Sequence, residues 1–193
     1  MSISVPAPEH PLLAAARVID AALDDVAGLD PIYLTTGDKA ALLVGLTRLT
    51  ARVTALRADV LAVAEDLADQ TADRSPGTWL AVETRTDRRE AIADERLGTT
   101  LRDRWPALAQ AARSGQVTWQ QAGVLTHALD DLPQQVDPEL LVKAEAHLLA
   151  EAGQFPPTQL RRLGRKVLEV IAPDLAEDHE HRLLLAEEHR AHT

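Results

Sequence analysis

Four cations crowd into six residues in the last quarter of the sequence: Arg161, Arg162, Arg165 and Lys166. On a helix they spread over an arc of about 140°, opposite the apolar Leu160, Leu163, Val167 and Ile171. Such a face can neutralise several phosphates, which grips a nucleic-acid backbone without reading its bases. No aromatic side chain interleaves the four and no Gly-rich loop accompanies them, so the contact implied is with DNA of any sequence. The competing reading is a solvated face, or one paired with acidic helices, in a chain whose formal net charge is -10.

A second pattern, Glu177, His181, Glu188 and His192, falls at steps of four, seven and four, within about 60° of one helix face. Imidazoles and carboxylates suit a transition metal. Leu184 and Leu185 interrupt this stripe, however, and a step of seven holds the two Glu-His pairs roughly 10 Å apart. One ion does not bridge that gap without another helix, so no metal or other cofactor is expected. The absence of cysteine removes disulfides, thiolate zinc sites and Cys nucleophiles together. No nucleophile elbow, Walker loop, dinucleotide fingerprint or HExxH motif occurs either.

The elements that would position these residues are helices. Hydrophobic residues make up 46% of the chain, yet there is one Phe, one Tyr, one Met and three Trp, so the core must be built from Leu, Val and Ala. Strong helix formers dominate and strand-like runs are missing, which gives an all-α, elongated multi-helix bundle with one long central helix. Residues 1–10, with Pro6 and Pro8, read as a disordered tail, and 11–193 as a single helical domain. No basic and apolar leader opens the chain and no apolar run approaches the ~20 residues that span a bilayer. The expectation is a cytoplasmic protein that does not enter a membrane.

The central helix is expected over Thr36 to Asp69. Leu42, Leu46, Leu49, Val53, Leu56, Val60, Val63 and Leu67 alternate steps of four and three, the mark of a helix that packs lengthwise against another. Arg52 and Arg57 would face one another and repel in a parallel homodimer, so the stripe is read as the spine of an intramolecular bundle, with a dimeric scaffold as the alternative. Asp87 and Glu90 open a further helix, in which Gly98 is expected to cost about 1 kcal/mol relative to Ala. Asp137 and Pro138 start another that closes at Gly153, and the helix bearing the four cations is expected over Thr158 to Ile171.

Between them lies a helical hairpin from Leu101 to Pro133. Pro106 suits a first helical position, Gly115 a left-handed terminus, and Thr118 with Gln121 a capping box, with Val117 packed on Ala122 as its hydrophobic staple. The arrangement invites comparison with a DNA-binding helix-turn-helix. Its second helix, TWQQAGVLTHAL, holds no Arg or Lys, however, so it is expected to be a packed structural hairpin.

These motifs in this order also resemble a known family. Gly77-Thr78-Trp79-Leu80-Ala81, then Trp105-Pro106-Ala107, Gly115, Val117-Thr118, Gln121-Ala122 and Leu132-Pro133, resemble the family called domain of unknown function 222. Ala144, Leu148 and Ala152, then Pro157, Leu160 and Arg161, then Pro173-Asp174 continue the likeness from about Thr36 to the C-terminus. The resemblance implies a helical region that, in actinobacterial relatives, precedes an HNH endonuclease module. This sequence shows no HNH constellation and is expected to stop before that module, so no catalytic residue carries over and the chain is not expected to be an enzyme. The function implied is a non-catalytic helical accessory or interaction module, associated with DNA through Arg161, Arg162, Arg165 and Lys166. The alternatives are a fragment of an HNH endonuclease that acts with a separate nuclease domain, or a homodimeric scaffold.

Overall fold

The computed structural model describes residues 9–133 and 136–167. Residues 1–8 of the expected tail 1–10, and the Glu177, His181, Glu188 and His192 stripe, lie outside these residues. Nine α-helices and one 3-10 turn, with no strand, make up the described residues, as the helix-forming composition anticipates. They fall into two compact units, residues 1–43 and 44–193, where the sequence pattern marked no division within 11–193.

The first unit opens with α1, Pro11–Asp24, whose first turn is capped by the His10 imidazole accepting from the Leu12 amide at 3.2 Å. A 3-10 turn, Pro31–Tyr33, follows behind an Asp30 cap. Thr35 then caps the long helix α2, Thr36–Leu61, by accepting from the Asp38 amide at 3.2 Å. No residue of α1 is buried.

Two expectations about α2 are corrected. The helix does not continue to Asp69: residues 62–64 form a turn, closed by Val63 and Ala64 amides bonded three residues back, before α3, Glu65–Thr71. Glu65 and Asp66 stand in the first turn of α3. Acidic side chains complement the partial positive charge of a helix N-terminus and oppose the negative one of a C-terminus, which favours a fresh start just before them. Nor does the leucine and valine stripe form the bundle's spine. The buried residues of α2 are Ala51, Ala55, Ala58 and Leu61, while Leu42, Leu46, Val53 and Val60 remain 41–48% exposed.

Gly98 explains the choice of the alanine face. It lies in α5, Arg88–Arg104, and a Cβ on it would sit 2.6 Å from the Ala58 carbonyl oxygen and 2.9 Å from the carbonyl carbon. The two helix backbones therefore cross in direct contact, which only small side chains on both sides permit. Arg57 to Asp94 at 2.6 Å and Arg113 to Asp59 at 2.7 Å fasten the same part of α2 to the bundle. The Asp59 hydrogen bond raises the Arg113 guanidinium's pKa above its ordinary value.

The rest of the second unit builds outward from the predicted hairpin. It comprises α4, Pro76–Thr84, α6, Pro106–Ser114, α7, Trp119–Asp130, α8, Pro138–Ala152, and α9, Pro157–Gly164. The hairpin is formed as anticipated: Gly115 takes φ 73°, and Thr118 and Gln121 make both bonds of the capping box. Helix α7 packs against α5, α6, α8 and α9. Its Ala122, Leu125, Thr126 and Leu129 join Leu101, Trp105, Leu108, Val117, Leu148 and Leu160 in the core. The exposed residues of α7, Gln120, His127 and Asp130, form a narrow strip that holds no Arg or Lys for a DNA groove.

Candidate functional site

The four cations are carried by α9 and the turn after it. Pro157 occupies the first helical position and Pro156 precedes it in extended conformation, so the chain enters α9 in one direction only. Leu160 is fully buried, Val167 is buried, and Gly164 lies so near α7 that a Cβ on it would approach the Ala128 Cβ to 2.5 Å. This seam of positions 160, 164 and 167 turns Arg161, Arg162, Arg165 and Lys166 outward, and all four are exposed. The helix is shorter than the sequence pattern suggested. It ends at Gly164, and Arg165 and Lys166 belong to a following turn in which the Lys166 amide donates to the Leu163 carbonyl at 2.9 Å. The expected stretch to Ile171 lies outside the described residues.

Gln121 holds this edge in place from beneath. Its carboxamide nitrogen donates to the Ala152 carbonyl at 2.8 Å and the Phe155 carbonyl at 3.1 Å, satisfying the end of α8 where the chain turns into α9. Its oxygen meanwhile accepts from the Thr118 amide at 2.9 Å. One side chain thus caps the start of α7 and the end of α8.

Phe155, Gln159, Arg162, Leu163, Arg165 and Lys166 line a cleft of about 470 Å³. Phe155 is an aromatic neighbour of the cations that the sequence pattern hides, because Pro156 and Pro157 obscure the helical relation. The signal was a spacing of seven and eight residues to Arg162 and Leu163, which returns to one face. The cleft has an apolar floor and a cationic rim, a shape that suits an anion carried on an apolar or planar body.

Several charges elsewhere in the unit are engaged. Trp119 Nε1 donates to Asp94 at 2.7 Å, and Asp94 also binds Arg57; Trp105 Nε1 donates to Asp130 at 2.9 Å, and Asp130 also binds Arg104 at 2.7 Å. Glu145, buried on α8, accepts from the Leu108 amide at 2.8 Å and so caps α6 across the bundle. Glu95 accepts from the Gly77 amide at 2.8 Å and the Ser75 hydroxyl at 2.7 Å, capping α4 in the same manner. Among the described residues, no carboxylate pairs with Arg161, Arg162 or Arg165. The Thr126 hydroxyl, on the buried side of α7, is the one buried side-chain group among the described residues without a hydrogen-bond partner.

The fold and these capping contacts involve most of the residues on which the sequence likeness rests. The family described as "Domain of unknown function (DUF222)" matches residues 40–190. The chain belongs to this family. Comparison with curated proteins gave no match, and comparison with solved structures gave none. In this DUF222 chain, Gly77, Trp105, Pro106, Gly115, Thr118 and Gln121 serve to terminate, cap or appose helices. No helix among the described residues is long and apolar enough to cross a membrane.

Proposed function

We propose that this DUF222 chain is a non-catalytic, cytoplasmic helical module that binds the phosphate backbone of DNA through the α9 edge, beside the nuclease module that the family resemblance implies for its relatives. The observation that carries this reading is the grouping of exposed arginines within one turn of helix beside an apolar cleft. Arg57, Arg104 and Arg113 are each bound to an aspartate within the bundle. Arg161, Arg162 and Arg165 are exposed around one cleft, with no carboxylate partner among the described residues.

Three guanidiniums and one ammonium at the edge of a chain of net charge -10 favour a local, salt-sensitive contact. The remaining acidic surface opposes closer approach of the duplex, so DNA is held at the α9 edge and does not wrap the molecule. Binding is therefore weak and independent of sequence, with a Kd on the order of 10⁻⁴ to 10⁻⁶ M.

Fluorescence anisotropy of a labelled duplex at low salt tests the proposal. Wild type is expected to bind, and Arg161→Glu with Arg165→Glu to abolish binding while leaving the circular dichroism melt unchanged. Equal binding by the double variant, or no binding by wild type, would refute it.

A further inference from the structure

The face of α2 that the bundle leaves uncovered is a second feature that calls for a partner. At 100° per residue, the buried Ala51, Ala55, Ala58 and Leu61 centre on one side of the helix, and Leu42, Leu46, Leu49, Val53, Leu56 and Val60 centre on the other. The helix is thus apolar on both sides, a pattern that belongs to a helix covered on both sides. Leu42, Leu46, Val53 and Val60 are 46%, 43%, 41% and 48% exposed. Leu49 and Leu56 are half-buried.

We propose that this stripe is a dimer seam, on which α2 pairs antiparallel with α2 of a second copy of the chain. The stripe is complementary to itself. With the two-fold axis level with residue 51, Leu42 meets the second copy's Val60, Leu46 meets its Leu56 and Leu49 meets its Val53. Every seam position is used, every opposed pair is apolar, and the three-four spacing continues without a break, as knobs-into-holes packing requires.

The charges beside the seam do not oppose its closure. Arg57 is held by Asp94 at 2.6 Å and Asp59 by Arg113 at 2.7 Å, both within the same chain. The aliphatic stem of Arg52 runs back toward Gly115, its Cγ 3.1 Å from where a Cβ on that glycine would stand. The like-charge contact that disfavours a parallel dimer in the bare sequence is weakened by these internal engagements.

The area agrees with a second copy as occupant. From residue 42 to residue 60 the seam is about 27 Å long, and covering half the circumference of a helix about 11 Å across hides roughly 450 Å² per copy. The total of about 900 Å² lies just under the ~1,000 Å² of a stable specific interface, so the dimer forms and dissociates with concentration.

Sedimentation equilibrium of the full chain from about 1 to about 500 μM reads this directly. The mass is expected to rise from 20.9 kDa toward twice that value. Val53→Glu buries two carboxylates near the axis and is expected to raise the dimer Kd about 100-fold or more, without altering the melt of the monomer. The chain has no cysteine, so a nitroxide at Lys39→Cys gives the orientation unambiguously. Electron-electron distance measurement should return about 36 Å between labels for the antiparallel pair. A mass of one chain at every concentration overturns the proposal and assigns the stripe to another segment of the chain or another protein. A label separation below about 20 Å overturns it as well, because a parallel pair brings the two labels side by side.

Discussion

Replacing Gly98 by alanine should destabilise the protein, although the same change in an exposed helix interior stabilises. Helix propensity favours alanine by about 1 kcal/mol. At Gly98 the added methyl would stand 2.6 Å from the Ala58 carbonyl oxygen, 2.9 Å from its carbon and 3.0 Å from its Cβ. Two of these atoms are backbone, so no side chain can rotate aside, and α2 must move away from α5. The movement also strains the Arg57 to Asp94 pair, which bridges the same two helices. Overpacking of this kind costs about 3 kcal/mol at the upper end of its usual range, which leaves a net loss near 2 kcal/mol. For a chain of this length that lowers Tm by about 4–8 °C. Gly45 supplies the control, since it lies in α2 with nothing within 4 Å of its notional Cβ. Gly45→Ala should raise stability by about 0.5–1 kcal/mol. Thermal and urea unfolding followed by circular dichroism measure both. A Gly98→Ala protein as stable as wild type would refute the close crossing of α2 and α5, and with it the account of why α2 buries its alanine face.

Two further substitutions test the capping contacts. Gln121→Ala removes the bond to the Thr118 amide and those to the Ala152 and Phe155 carbonyls, and should cost about 2 kcal/mol in urea unfolding, whereas the exposed Gln110→Ala should stay within about 0.5 kcal/mol of wild type. Glu145→Ala leaves the Leu108 amide without its buried acceptor and should cost about 2–3 kcal/mol; Glu145→Gln, whose carboxamide oxygen still accepts, should recover at least half of that loss.

The parts of the fold legible in the sequence were those set by neighbours along the chain. Pro106, Gly115, Thr118 and Gln121 act within one or two turns of where they stand, so the hairpin was readable residue by residue. Which face of α2 turns inward was not. The leucine stripe carries more apolar area than the alanine face, and local pattern favours it. The decision rests on Gly98, 40 positions from Ala58, whose missing side chain admits a backbone and not a leucine. Propensity alone makes Gly98 a weak point of its helix, because it counts only what a residue does to its own helix. The Trp105 to Asp130 and Trp119 to Asp94 bonds were hidden for the same reason, since each spans 25 residues and links separate helices. At the α9 edge the cations were readable from their spacing, and the cleft was not. Its floor needs Phe155, which reaches the cations only because the two prolines fix how the chain enters α9.

The salt dependence of DNA binding tests the central claim most directly, because it counts the phosphates that the α9 edge engages. With Arg161, Arg162, Arg165 and Lys166 each neutralising one phosphate, the plot of log K against log salt concentration should fall with a slope of about -3.6. Arg161→Ala with Arg165→Ala should reduce the slope to about -1.8 while binding weakens to a similar degree on duplexes of unrelated sequence. A slope near zero, or a slope that the double variant leaves unchanged, would contradict the assignment of phosphate binding to this edge.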